Sequence, residues 1–152
     1  MRIFITGANR GLGLEFVNQY LERGEEIIAT CRRPKEAISL QKSIEQVRES
    51  LTLVQLDVSF YNSIDNAFKT ITQQFPSLDM LINNAGIISG GQNRYHVFGK
   101  LYTENIAKII LVNAIRPVLV IEKFFPLLKK GKNAKVVNIL SRRGEYYLEC
   151  RF

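Results

Sequence analysis

The sequence predicts a doubly wound α/β domain built on a parallel sheet, and three observations carry that expectation. Short apolar runs alternate with helical stripes along the chain in a βαβα rhythm. A glycine-rich turn, Thr6-Gly7-Ala8-Asn9-Arg10-Gly11-Leu12-Gly13, joins the first run to the first stripe, the strand–turn–helix context that gives such a motif meaning. The chain is also long enough for one layered core: at 152 residues, folding buries about 68–70% of the unfolded surface.

Each element follows in order. Arg2-Ile3-Phe4-Ile5 reads as a short buried strand, and Leu12, Phe16 and Tyr20, with Val17 and Leu21, recur behind the glycine turn at helical spacing. Glu26 to Cys31 is a second strand; Pro34 follows it, then a polar helix from Lys35 to Arg48. Leu51 to Leu56 forms strand three, and Ile64, Ala67, Phe68, Ile71 and Phe75 fall on one helical stripe. Leu78 to Asn83 is strand four, a long helix spans Thr103 to Lys130, and Ala134 to Leu140 is strand five. Strands alternating with helices imply parallel pairing through right-handed crossovers. Residues 1–141 make one domain, and 142–152, which show neither alternation nor a helical period, an irregular tail.

Composition excludes several classes. The net charge of +7 is lopsided: from Lys129 to Phe152, seven basic residues against Glu145 and Glu149 carry +5 of it. No basic face runs across the domain, so nucleic acid is not an expected partner. Cys31 and Cys150 lack ligand-like spacing, which supports neither a disulfide framework nor a metal site. No run of about 18 apolar residues occurs, and the N-terminal apolar stretch is too short for a signal peptide. A cytoplasmic protein without a membrane partner is expected.

The glycine turn carries the chemistry. Gly7 permits a sharp exit from the strand, Gly11 lets the backbone approach a diphosphate, and Gly13 lets the helix pack closely on the sheet. Free N–H groups and the positive end of the helix dipole then face the phosphates. Dinucleotide folds that prefer a cofactor without a 2′-phosphate place an Asp or Glu about 20 residues beyond the glycines. Here the second strand ends in Thr30-Cys31-Arg32-Arg33, and Arg10 sits within the turn. Guanidinium groups at that place pair with a 2′-phosphate, each worth about 1.5–3 kcal/mol, so NADP(H) is predicted over NAD(H). The alternative, that Arg32 and Arg33 are solvated strand-end residues, stays open.

Further along, Asp57-Val58 closes strand three on the side where ligands gather; a turn or capping Asp is the competing reading. Asn83-Asn84-Ala85-Gly86 closes strand four, its small residues admitting a ribose and its Asn side chains able to brace neighbouring strands. Asn113 interrupts an apolar helix four residues before Pro117. Pro117 cannot donate to the Asn113 carbonyl, which predicts a kink. His96, the only histidine, reads as a loop residue.

The spacing Gly-x-x-x-Gly-x-Gly after Thr6, the Asn83 to Gly86 phrase, Asn113, and Lys135-Val136-Val137-Asn138-Ile139-Leu140-Ser141 together resemble the short-chain dehydrogenase/reductase family. The resemblance covers residues 1–141. The phrases Ala29-Thr30-Cys31-Arg32 and Phe124-Phe125-Pro126-Leu127-Leu128 are similar to its sniffer-like and C-factor-like carbonyl reductases in particular. It implies a Rossmann-type sheet of about five strands in the order 3-2-1-4-5, without the family's C-terminal strands. Cofactor-binding roles would fall to Gly7, Asn9, Arg10, Gly11, Leu12, Gly13, Arg32, Asp57, Val58, Asn84, Ala85 and Gly86, with the Asp57 carboxylate meeting the adenine amino group. Asn113 would hold a catalytic water through its backbone carbonyl, and Ser141 would steady a substrate carbonyl.

By the same resemblance the function is NADP(H)-dependent oxidation or reduction of a small carbonyl or alcohol substrate. The family's Tyr-x-x-x-Lys pair is not found; Tyr147 with Arg151 is the nearest candidate, and an arginine does not copy a compact ammonium. A chain truncated before that pair is therefore expected to be inactive or weakly active, a missing acid costing roughly 10²–10⁴ in rate. A non-catalytic NADP(H)-binding module or assembly partner is the competing function. The long helix is apolar nearly all round, which predicts a homo-oligomer or aggregation.

Overall fold

The computed structural model describes residues 1–46, 49–88 and 102–140. Five strands alternate with helices: β1 (Arg2–Ile5), α1 (Gly11–Glu22), β2 (Glu26–Cys31), α2 (Ile38–Gln46), β3 (Leu51–Gln55), α3 (Tyr61–Gln74), β4 (Met80–Asn83), α4 (Thr103–Ile110), α5 (Arg116–Leu128) and β5 (Lys135–Asn138). The sheet runs β3-β2-β1-β4-β5, and every neighbouring pair is parallel. This is the Rossmann-type order expected above.

Strand alternation sorts the core into two layers, because successive side chains leave a strand on opposite faces. Ile3 and Ile5 of β1 join Ile27 and Ala29 of β2 in a cluster with Val17 of α1 and Leu40 of α2. Phe4 and Ile28, one residue out of phase, join Leu81 in a second cluster with Ile64 and Ile71 of α3 and Val120 and Phe124 of α5. Phe124 stacks on Phe4 at 4.4 Å between centroids and receives Phe68 edge-on at 5.4 Å. Such pairs add about 0.5–1.5 kcal/mol each beyond area burial.

Several boundaries differ from the sequence expectation, each for a local reason. The polar helix does not begin at Lys35: a 3-10 turn covers Pro34–Glu36, Ala37 breaks the helical backbone at φ −86°, ψ 64°, and the Gln41 amide donates to the Pro34 and Lys35 carbonyls. Strand four starts at Met80 because the Leu78 N–H donates to Leu127 C=O at the end of α5. Strand five is confined to Lys135–Asn138. Within the first stripe Leu12 stays out of the core at 62% exposed; it lies in the opening turn of α1, and Val17 is the buried residue of that face.

Thr103 to Leu128 is one helix with a wide turn. Leu111–Ile115 is π-helical, and the Arg116 N–H donates to Leu111 C=O, five residues back. The predicted kink at Asn113 is thus a π-bulge, one way in which a helix accommodates a proline without stopping. Ile110, Ile115, Val118 and Phe125 are exposed along it, so this helix leaves an apolar face uncovered among the described residues. None of the described helices is long and apolar enough to cross a membrane.

Asp79 fastens the amino-terminal edge of the sheet. Its Oδ2 accepts the Arg2 N–H at 2.8 Å and its Oδ1 the Lys132 N–H at 2.7 Å. Partial burial pushes its pKa up, but those two bonds and the charges of the N-terminus and Arg2 outweigh this, and the net value lies below the ordinary one. A carboxyl whose native pKa is depressed stabilises fully above its unfolded pKa, about 4, and that contribution is lost as pH falls through the native value. Asp79→Asn is expected to lower stability by about 1 kcal/mol at pH 7, with the difference shrinking toward pH 2. Urea unfolding at both pH values checks this; an equal gap at each would refute it.

Candidate functional site

Strand order reverses between β1 and β4, and in open α/β sheets the crevice at such a reversal, beyond the carboxyl ends of the strands, receives ligands. The chain segments leaving β1 and β4 meet there. Gly7 turns at φ +66°, and a Cβ on it would stand 2.9 Å from Ala85 Cα. Gly13 is tighter: a Cβ would lie 2.4 Å from both Asn84 Nδ2 and the Gly7 carbonyl. Gly11, at φ +55°, faces open space. Two of the three glycines are therefore pressed against protein and one is left bare, at the first residue of α1.

Thr6 and Asn84 bind these segments together. The Thr6 Oγ1 accepts the Asn84 and Ala85 N–H groups, each at 3.0 Å, and lies 3.4 Å from the Ile82 carbonyl as donor. Asn84 Nδ2 donates to the Thr6 and Gly7 carbonyls, both at 3.0 Å. The Ala8 N–H donates to Thr30 C=O at 2.8 Å, which fastens the glycine turn to the end of β2 and so brings Arg10 and Arg32 to the same end of the sheet. Both arginines are exposed, and neither forms an ion pair among the described residues. Arg33 differs: its guanidinium pairs with Glu36 at 3.1 Å. Asn9 is exposed beside Arg10. Cys31, between these groups and the core, is buried, which pushes its thiol pKa up, partly offset by a bond from the Arg33 backbone.

Asp57 lies past the end of β3. Its Oδ1 accepts the Ser59 N–H at 2.9 Å and its backbone N–H donates to Ser63 Oγ at 2.9 Å, so one carboxylate oxygen shapes the turn into α3. Val58 packs against the α3–α5 core cluster. At β4, Asn83 Nδ2 donates to Asn138 Oδ1 of β5 at 2.9 Å, the cross-strand brace expected of this phrase. Asn113 is exposed and clamps the strand-four exit: its Nδ2 donates to Ile87 C=O at 2.7 Å, and its Oδ1 accepts the Ile87 N–H at 2.9 Å. A Cβ on Gly86 would come within 3.4 Å of that Oδ1. Ser141, His96, Tyr147, Arg151 and Cys150 lie outside the described residues.

The family model for short chain dehydrogenases matches residues 1–151. The chain belongs to that family. Among curated relatives, the (+)-neomenthol dehydrogenase of Arabidopsis thaliana is 33% identical to this chain over 93% of the chain and 53% of the relative. Carbonyl reductases recur among the similar solved structures. The NADPH-bound carbonyl reductase from chicken fatty liver superposes with a TM-score of 0.83 at 31% identity, covering 94% of this chain and 58% of that one. A carbonyl reductase from Pseudomonas aeruginosa in complex with NADP gives 0.73 at 29% identity, covering 83% and 55%. The chain spans about half the length of the relatives it matches.

The structure places all of the residues picked out from the sequence as candidates for cofactor binding, Gly7, Asn9 to Gly13, Arg32, Asp57, Val58 and Asn84 to Gly86, around the carboxyl ends of β1 to β4. It adds contacts that the sequence reading passed over. Thr6 is a hydrogen-bonding node, signalled by a hydroxyl directly before the first glycine. Arg116 reaches the strand-three exit, donating from Nη2 to Ser59 C=O at 3.0 Å; nothing in its apolar surroundings singled it out. Two grooves, one beside Tyr61 and Lys123 and one along β3, are not lined by the glycine turn, but the second is lined by Gln55 and Ser63, which bond the Arg32 carbonyl and the Asp57 N–H. No group of three or more His, Cys, Asp or Glu among the described residues is placed to hold a metal.

Proposed function

We propose that residues 1–141 are the NADP(H)-binding part of a carbonyl or alcohol oxidoreductase. One observation carries the reading: Gly11 offers bare backbone at the mouth of α1, while Gly7 and Gly13 are held against Ala85 and Asn84 with no room for a side chain. A diphosphate fits that cradle, with the opening amides of α1 donating to it and Asn9 and Leu12 at its rim. Arg10 and Arg32 take the 2′-phosphate. The oxygen of Asp57 that does not hold Ser59 takes the adenine amino group, with Val58 beside the ring. Asn84, Ala85 and Gly86 line the ribose side.

Held by those residues, a reduced nicotinamide would supply hydride to a carbonyl carbon, with solvent supplying the proton to the oxygen. Ser141 steadies the carbonyl oxygen, and Asn113 shapes that side of the site through its clamp on Ile87 and offers its backbone carbonyl to a water. A small carbonyl or alcohol compound is the substrate partner, the cytoplasm the location, and the exposed face of α4 and α5 a surface for self-association. The NADPH-bound liver carbonyl reductase supports the choice of cofactor. The alternative is a module that binds the coenzyme without turning it over.

Fluorescence titration with NADPH and NADH, followed by a carbonyl reduction assay, tests both. Saturable binding that favours NADPH is expected. Turnover selects the oxidoreductase and binding alone selects the module; no binding of either coenzyme overturns the proposal.

A further inference from the structure

We infer that Arg116 is a positioning residue whose hold on the Ser59 carbonyl keeps the Asp57–Phe60 turn in the shape that receives the adenine end of the coenzyme. The inference rests on the coenzyme site proposed above. Arg116 Nη2 donates to Ser59 C=O across a separation of 57 residues, and its Nε is buried without a hydrogen-bond partner. A buried donor left unmet calls for an explanation, since an apolar side chain would fill the same space without one. What the arginine gains is the tether to Ser59.

The hold of Arg116 on the turn comes from another element. The turn's own bonds, Ser59 N–H to Asp57 Oδ1, Phe60 N–H to Asp57 C=O and Asp57 N–H to Ser63 Oγ, close it upon itself and onto α3. Arg116 joins it instead to the wide turn of the long helix. That same turn carries Asn113 on Ile87, and the next carbonyl, of Pro117, accepts Asn83 Nδ2 at 3.3 Å. In a regular α-helix residues three apart share a face; a π-turn advances less per residue and splays them. Asn113 is thereby free to reach the strand-four exit while Arg116 reaches the strand-three exit. One turn of helix sets both loops that border the site.

The test uses the full chain with Arg116→Met, which keeps the stem and removes the donors, and Arg116→Lys, which keeps the charge. Hydrogen exchange reads the Ser59 and Phe60 amides, and calorimetry with adenosine 2′,5′-bisphosphate reads the adenine end alone, with melting temperatures measured in parallel. Expected for Arg116→Met are faster exchange at those two amides and an affinity weakened about tenfold, with Arg116→Lys between it and the parent. Unchanged affinity overturns the inference, whether or not exchange quickens, and so does unchanged exchange. Should Arg116→Met fail to fold, parental affinity in Arg116→Lys overturns it equally. If the parent itself binds no bisphosphate, the proposed function falls and this inference with it.

Discussion

Gly13→Ala is expected to destabilise the chain by about 3 kcal/mol and to weaken NADPH binding about thirtyfold or more. The added methyl would sit 2.4 Å from the Gly7 carbonyl and 2.4 Å from Asn84 Nδ2. Neither can withdraw freely. The carbonyl belongs to the glycine turn that Thr6 and Asn84 hold in place, and the Asn84 amide already donates to Thr6 and Gly7. Relief requires α1 to lift from the turn, which misaims its opening amides, or Asn84 to swing out, which leaves the Thr6 and Gly7 carbonyls without that donor. For a domain of this size the loss corresponds to a melting temperature roughly 6–12 °C lower. Gly11→Ala is the control: it meets no atom within 4 Å, so its effect is confined to backbone strain at positive φ and to blocking the ligand. Thermal melts without coenzyme separate the two, and Gly13→Ala melting where the parent melts would end the packing explanation.

The second large effect is on coenzyme choice. Replacing Arg10 and Arg32 together by Ala is expected to weaken NADPH by roughly 10²–10⁴ while leaving NADH near its parental affinity. Each charged contact to a phosphate is worth about 1.5–3 kcal/mol, and two groups sharing one phosphate do not add fully. Arg33→Ala is expected to weaken NADPH less than the double change, because that guanidinium stands on Glu36 in an exposed ion pair, worth about 0–1 kcal/mol, rather than at the glycine turn. The ratio of the two dissociation constants, measured for all three variants, checks this. Equal losses for NADPH and NADH in the double variant would mean that the arginines act on something other than the 2′-phosphate.

The sheet was legible because its strands are short apolar runs whose alternate residues face two different helical layers, and Ile3, Phe4 and Ile5 display that division within three residues. The glycine turn was legible for a related reason: each glycine answers a separate steric demand, and the structure shows two of those demands as near contacts. Less could be read from the long helix. Its apolar residues satisfy a helical period on every side, so the pattern holds no mark of the extra residue that makes Leu111–Ile115 a π-turn; Pro117 gave the place and not the form. Asp57 illustrates a different limit. Turn residue and ligand contact were posed as alternatives, yet a carboxylate has two oxygens, and only one is spent on Ser59. Arg116 escaped notice because its partner lies far away in the chain, and a lone basic residue in an apolar stretch announces nothing about where its guanidinium goes.

Thr6, Thr30 and Asn84 knit three remote stretches of the chain into one cradle. Such a receptor has no partial form. Until β4 has docked beside β1 there is no Asn84 to arrest the glycine turn and no hydroxyl bond to aim Ala85, so a half-assembled chain lacks the shaped turn. Were the proposed coenzyme bound, it would hold only the completed sheet and would stabilise it by about 2.7 kcal/mol at a hundred times its dissociation constant.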